Sequence, residues 1–156
     1  TTNLIGNAAH ALLEHPAELE RVARDPSLVP DLVEEALRFD APVQVIVREA
    51  SRDLELHGVR IPKGAPVVPL LGSANRDARR FPDPDAFRIG RDTRGHLGFG
   101  FGVHFCLGAA LARLEARAAL AALVPELSRR VRVGRPVEWI DSFIVRGRRH
   151  LELDAA

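Results

Sequence analysis

The stretch LGFGFGVHFCLGAALARLE, residues 97–115, carries the only cysteine of the 156-residue chain. Gly98, Gly100, Gly102 and Gly108 crowd Cys106, and glycine is needed where a backbone takes positive φ or approaches a flat object closely. The apolar run that follows reads as a helix from about Cys106 to Leu123, whose first turn would aim unsatisfied N–H groups and the positive dipole end at the sulfur. Such a setting favours thiolate over thiol, and a thiolate is a nucleophile or a metal ligand. A Cys–His nucleophile using His104 would have no marked third group to orient the base. A zinc site would lack a second cysteine, and His96 and His104 form no recognised ligand spacing with Cys106. Beside the ordinary fate of a lone cysteine, a small buried hydrophobe, there remains one thiolate on one metal whose other positions a non-protein ligand fills. A haem with an axial cysteine meets that description.

Other elements must bring this loop into place. Leu4, Ala8, Ala11 and Leu12 recur at helical spacing up to His15-Pro16, and AELERVARDP gives a second short amphipathic helix closed by Asp25-Pro26. Pro30 suits the first turn of a third helix, PDLVEEALRF, in which Leu32, Ala36 and Phe39 share a face and Glu35 and Arg38 lie one turn apart. By spacing alone that pair is a surface ion pair worth at most ~0.5 kcal/mol. From Pro42 the pattern turns to β: VQVIVREA, then LELHGVRIPKG with Gly58 as a turn, then APVVPLL, which together predict a small mixed sheet. ANRDARRFPDPDAFRIGRD is irregular and too long for an ordinary connection, so its own polar contacts must pin it. In the helix after the cysteine, Leu107, Leu111, Leu114 and Ala118 form one apolar stripe. EWIDSFIVRGRRHLELDA ends the chain as short strands around Arg146-Gly147. The expected segments are helices over 1–41, a small sheet over 42–75, an irregular stretch over 76–95, the cysteine loop over 96–108, its helix over 106–124 and strands over 125–156. The fold class is mainly α with small β-sheets, α+β.

Composition sets outer bounds. The chain is 46% hydrophobic and 28% charged, enough apolar material for one domain with a core. Twenty-two basic against 21 acidic side chains leave a net charge of +1, so no global field points to nucleic acid or an anionic membrane. One cysteine forms no internal disulfide, no apolar run approaches the ~18 residues of a membrane span, and no signal peptide is recognised, which together fit a reducing cytoplasm. The chain has no methionine, and TTNLIGNAAHALLEH reads as a helix already in progress. A C-terminal piece of a longer protein is expected.

FGFGVHFCLG, Phe99 to Gly108, resembles the haem-binding signature of the cytochromes P-450, F-x-x-G-x-[RH]-x-C-x-G, and matches it at every fixed position. In the family's own order, EALR (Glu35 to Arg38) is similar to its E-x-x-R, FPDPDAF to its meander and ANRD to the stretch before it, most like the soluble bacterial members. The resemblance implies the C-terminal portion of the cytochrome P-450 fold and a haem b, iron protoporphyrin IX, whose axial ligand is the Cys106 thiolate; its electron donation favours O–O cleavage. It implies Phe99 packed beside the sulfur and a tight loop permitted by Gly100, Gly102 and Gly108. His104 and Arg48 resemble the family's haem-propionate partners. The Glu35–Arg38 pair would be buried and would lock the meander beneath the haem. Distal walls would come from Val43, Gln44, Val45 and Ile46 with Phe143, Ile144 and Val145. Arg113, two helical turns after the cysteine, stands where relatives present a basic residue to an acidic ferredoxin.

Two departures bear on these expectations. Relatives often carry an arginine before the meander phenylalanine, where this chain has Ala86 before Phe87, which leaves Arg88 or Arg91 as substitutes. The family's oxygen-binding helix carries an acid and a threonine that deliver protons, with an asparagine three residues after that threonine. If Asn3 is this asparagine, the threonine falls before Thr1 and this chain holds no catalytic residue of its own. The expected function is that of a haem-thiolate monooxygenase. The full protein would insert one oxygen atom of O₂ into a small, mostly apolar organic substrate, with electrons from NAD(P)H through a ferredoxin and its ferredoxin reductase. These 156 residues are expected to be inactive without the N-terminal part. A peroxide-driven peroxygenase and a non-catalytic haem-binding or structural piece are the alternatives.

Overall fold

Prolines set the helix boundaries in the first quarter of the chain. A computed structural model describes residues 1–132 and 137–155. In chain order it contains α1 (Thr2–Glu14), α2 (Pro16–Arg24), a 3-10 turn (Pro26–Leu28) and α3 (Val29–Phe39). There follow β1 (Arg48–Glu49), β2 (Leu54–Leu56), β3 (Val59–Ile61), β4 (Pro66–Val67) and α4 (Leu71–Ala74). A 3-10 turn (Gly102–His104), α5 (Ala109–Leu127), β5 (Arg130–Arg132) and β6 (Leu153–Ala155) complete it. Pro16, Pro26 and Pro30 each sit in the first turn of their element, where the missing N–H breaks no hydrogen bond.

α1, α3 and α5 pack on one another, and α2 rests on α1 and α5. Their shared core is built from Leu4, Ala8 and Leu12 of α1, Leu32, Val33, Ala36 and Leu37 of α3, and Ala116, Leu120 and Val124 of α5, closed by Phe87 and Ile89 from the irregular stretch. The long helix differs from its expected form in two ways. It starts at Ala109 rather than Cys106 and runs on to Leu127. It also buries Ala109, Ala116, Leu120, Val124 and Leu127, while Leu107, Leu111, Leu114 and Ala118 are exposed. The helix is apolar on most of its circumference, so periodicity offers two stripes, and the one with more alanine lets α1 and α3 come close.

The expected mixed sheet over 42–75 is instead two separate antiparallel ribbons, β1–β4 and β2–β3, followed by helix α4. Pro62, Pro66 and Pro69 remove ladder donors and cut the β run short. His57 and Gly58, both with positive φ (51° and 80°), form the two-residue turn between β2 and β3. The run around Val43–Val47 stays largely irregular, tied by single bridges from Val43 to Val145 and from Val45 to Leu70. At the C-terminus β5 pairs with β6, and Trp139 bridges Arg148, so that the chain reverses over residues 141–144 and Arg146-Gly147 lie on the returning arm. Residues 133–136 and 156 of the expected strand region lie outside the described residues. No helix among the described residues is long and apolar enough to cross a membrane.

Candidate functional site

Cys106 lies on an exposed shelf between the 3-10 turn and α5. Its N–H donates to the Phe99 carbonyl at 2.9 Å, its own carbonyl accepts from Ala109 N–H at 3.1 Å, and Phe105 N–H donates to Gly102 at 3.0 Å. The loop needs its glycines for different reasons. Gly100 and Gly102 have φ of 74° and 71°, the left-handed region that side-chain-bearing residues avoid. At Gly98 a Cβ would lie 2.9 Å from the Leu37 carbonyl, so the loop can press onto α3 only without one. Gly108 has an ordinary φ of −83°, and a Cβ there would meet only Cys106 Sγ, at 3.9 Å. The turn itself therefore does not require Gly108. Because the helix starts at Ala109, its N-terminus lies past the cysteine rather than at it.

The sulfur opens into a cleft of about 450 Å³. Phe99, Gly100, Cys106 and Gly108 line it with Leu111 and Ala112 of α5 and, from other elements, Leu4, Leu37, Val43, Ile46 and Leu71. Arg48 and His104 are its basic members, and Thr1 and Glu115 also reach it. A mostly apolar slot with a single thiol and two basic side chains suits a flat apolar metal complex that carries carboxylates. Among the described residues no group of three His, Cys, Asp or Glu side chains could hold a metal ion by itself. The residues expected to form distal walls divide. Val43 and Ile46 line the thiol cleft, whereas Gln44, Val45, Phe143 and Val145 line a second cleft of about 380 Å³ with Trp139 and Arg146. Ile144 is exposed and uses its carbonyl to accept from Gln44 N–H at 2.8 Å. Asn3 lies against Gly147, where a Cβ would be 2.5 Å from its Oδ1.

Beneath the shelf, Glu35 and Arg38 are both wholly buried. Arg38 donates from Nε and Nη2 to the two Glu35 oxygens at 2.8 Å each, and to the carbonyls of Asn75 (3.1 Å), Pro84 (2.8 Å) and Ala86 (3.1 Å). All of the guanidinium's donors are thereby used. Of the two candidate substitutes for an arginine at position 86, Arg91 places Nη1 3.8 Å from Glu35 Oε1, whereas Arg88 reaches that oxygen only with its backbone N–H, at 2.9 Å. Asn75, also fully buried, ties the loop to this network: its Oδ1 accepts from Leu97 N–H at 2.7 Å, and its amide donates to the Leu37 carbonyl at 3.3 Å. Sequence reasoning missed Asn75 as a site residue, although a polar side chain between an apolar helix and an irregular stretch is a signal of that kind.

A second polar cluster was also missed. Glu34 accepts from Arg113 Nε at 2.6 Å and Nη2 at 2.9 Å, and pairs with His96 Nε2 at 3.1 Å. Burial pushes the Glu34 carboxyl up, but hydrogen bonds from Arg113 and His96, together with the Arg113 charge, outweigh it and hold the group at about 2. The Arg113 guanidinium also lies 4.7 Å from the centre of the Phe99 ring. Arg113, expected to face an acidic ferredoxin, is engaged with Glu34 and Phe99 within the chain, with its side chain 27% exposed.

A family model described as Cytochrome P450 matches residues 26–151, and the chain belongs to that family. It is 46% identical over 154 residues to 6-deoxyerythronolide B hydroxylase of Saccharopolyspora erythraea, which covers 97% of this chain and 38% of that protein. Vitamin D(3) 25-hydroxylase of Pseudonocardia autotrophica is 48% identical over 151 residues, 94% of this chain and 37% of that protein. The solved structure of CYP109E1 from Bacillus megaterium in complex with corticosterone superposes with a TM-score of 0.94 at 41% identity, covering 99% of this chain and 42% of that one. CYP109Q5 from Chondromyces apiculatus superposes with a TM-score of 0.92 at 51% identity, over 99% of this chain and 40% of that one. The chain therefore spans about 38% of the length of the first of these relatives. The architecture, helices with small antiparallel sheets, is the one these family members share, and the family implies a haem cofactor.

Proposed function

We propose that this chain is the haem-binding C-terminal part of a haem-thiolate monooxygenase, with Cys106 as the iron ligand. The observation that carries this reading is the thiol cleft: one cysteine, apolar walls, and Arg48 and His104 as hydrogen-bond donors to two propionate carboxylates. A bound haem b would supply the oxidising chemistry that protein side chains lack. Phe99 would pack beside the sulfur, Gly100 and Gly102 would hold the loop's reversal, and Gly108 would keep the space over the sulfur open. Glu35 and Arg38 would carry no electrons; they lock the meander and the loop onto α3. Val43 and Ile46 would form part of the substrate wall, while Gln44, Val45, Phe143, Ile144 and Val145 would shape the backbone around it.

The substrate class is a small, mostly apolar organic molecule. Val43 and Ile46 are apolar, and relatives include a hydroxylase named for vitamin D(3) and a structure with corticosterone. Electrons would come from NAD(P)H through a ferredoxin and its reductase in the cytoplasm. Nothing in the net charge of +1 calls for nucleic acid as a partner. The test compares product formation by the haem-loaded full-length protein, of which this chain is the C-terminal part, with O₂, NAD(P)H, ferredoxin and reductase against product formation with hydrogen peroxide alone. Incorporation of one atom from labelled O₂ is the expected result. Product with peroxide only would assign a peroxygenase, and no product under either condition would overturn the enzymatic reading.

A further inference from the structure

The Glu34 cluster does work that the proposed iron ligand needs. Phe99 is held from both sides of its peptide. Its ring lies under the Arg113 guanidinium, and its carbonyl accepts the Cys106 N–H at 2.9 Å. One residue earlier, Gly98 N–H donates to His96 Nδ1 at 3.1 Å, while the same imidazole's Nε2 faces Glu34 Oε2 at 3.1 Å. For Nδ1 to accept, the proton must sit on Nε2 and be donated to Glu34, so the carboxylate selects the tautomer that can hold the loop. Glu34 thus grips the loop through two arms, one by way of Arg113 to the Phe99 ring and one by way of His96 to the Gly98 backbone. The side chains of His96, Glu34 and Arg113 are 7%, 23% and 27% exposed, so these bonds are partly shielded from competing water.

We infer that Glu34 is a positioning residue for the Cys106 loop, setting through Arg113 and His96 where Phe99, and hence the cysteine backbone, sits. The inference rests on Cys106 being the iron ligand. It assigns Arg113 an internal task in place of the ferredoxin contact expected of it. The other charged groups near the cluster do not compete for this role. Glu35 lies one residue on, but it is committed to Arg38, Arg88 and Arg91.

The test measures backbone hydrogen exchange in the haem-loaded protein for Glu34→Gln, Arg113→Lys and His96→Leu, comparing the peptide 97–106 with one from the middle of α5 around Leu120. Loss of charge-assisted bonds to one carboxylate should speed exchange in the loop about tenfold. Exchange around Leu120 should stay unchanged, and Arg113→Lys, which keeps the charge but loses the planar stack, should show an intermediate effect. The same samples, reduced under carbon monoxide, should keep a thiolate-type Soret band whose position or pH stability is altered. Unchanged loop exchange in Glu34→Gln, or exchange that rises equally in loop and core, would overturn the positioning role. Either result would leave the ligand assignment standing, because that depends on whether Cys106→Ser removes the thiolate band.

Discussion

Replacing Glu35 by alanine tests whether the buried pair under the cysteine loop governs stability. The side chains of Glu35 and Arg38 have 0% exposure, and Glu35 supplies two of the acceptors that Arg38 uses. Removing it leaves Arg38 and, 3.8 Å from the lost oxygen, Arg91 without their shared anion, and it strips the Arg88 N–H of its acceptor. Breaking one side of a buried pair costs ~3–5 kcal/mol, because the surviving charge cannot be hydrated. For a chain of this size each kcal/mol moves the melting temperature by about 2–4 °C, which predicts a fall of roughly 6–20 °C. The control is Glu20→Ala, which breaks a pair with Arg24 whose side chains are 62% and 74% exposed and should cost less than ~1 kcal/mol. The assay is chemical and thermal unfolding followed by circular dichroism, with haem content measured alongside, and Glu35→Ala should also give haem-poor, aggregating protein. A Glu35→Ala protein as stable as Glu20→Ala, with full haem content, would refute the reasoning.

Gly98→Ala should destabilise by ~1–3 kcal/mol in urea unfolding, since its Cβ would press on the Leu37 carbonyl at 2.9 Å and neither backbone can yield. Gly108→Ala should change stability by less than ~0.5 kcal/mol, because its Cβ meets only Cys106 Sγ at 3.9 Å, yet it should weaken haem uptake measured by titration. Glu34 has a carboxyl lowered from 4.5 to about 2, so its ionised form stabilises the folded chain fully above about pH 4.5, and that contribution disappears as pH falls through about 2. Unfolding curves of wild type and Glu34→Gln should accordingly diverge above pH 4.5 and converge near pH 2; a constant offset across this window would contradict the assignment.

The parts of the site that were legible in the sequence are local ones. The Phe99–Gly108 spacing and the Glu35–Arg38 turn lie within a few residues of each other, so chain order alone displays them. That Glu35 and Arg38 are buried could not be read from their spacing, because burial depends on carbonyls at Asn75, Pro84 and Ala86 that arrive from a distant irregular segment. The choice of Arg91's side chain over that of Arg88 follows from the same folding back. Glu34 meets His96 across 62 residues and Arg113 across 79, a separation over which no periodicity carries information. The buried face of α5 is hidden in the sequence because leucine outranks alanine in hydrophobicity, whereas close helix packing prefers the smaller side chain. The β-branched residues over 42–75 suggest one sheet, but the prolines among them break the run into two short ribbons.

The reduced, carbon monoxide-bound absorption spectrum tests the central claim, that Cys106 provides the thiolate ligand of a haem in this cleft. The haem-loaded protein should show the red-shifted Soret band of thiolate ligation, and Cys106→Ser should abolish that band while leaving the unfolding transition of the haem-free protein in place. A thiolate-type band that survives the substitution would contradict the account.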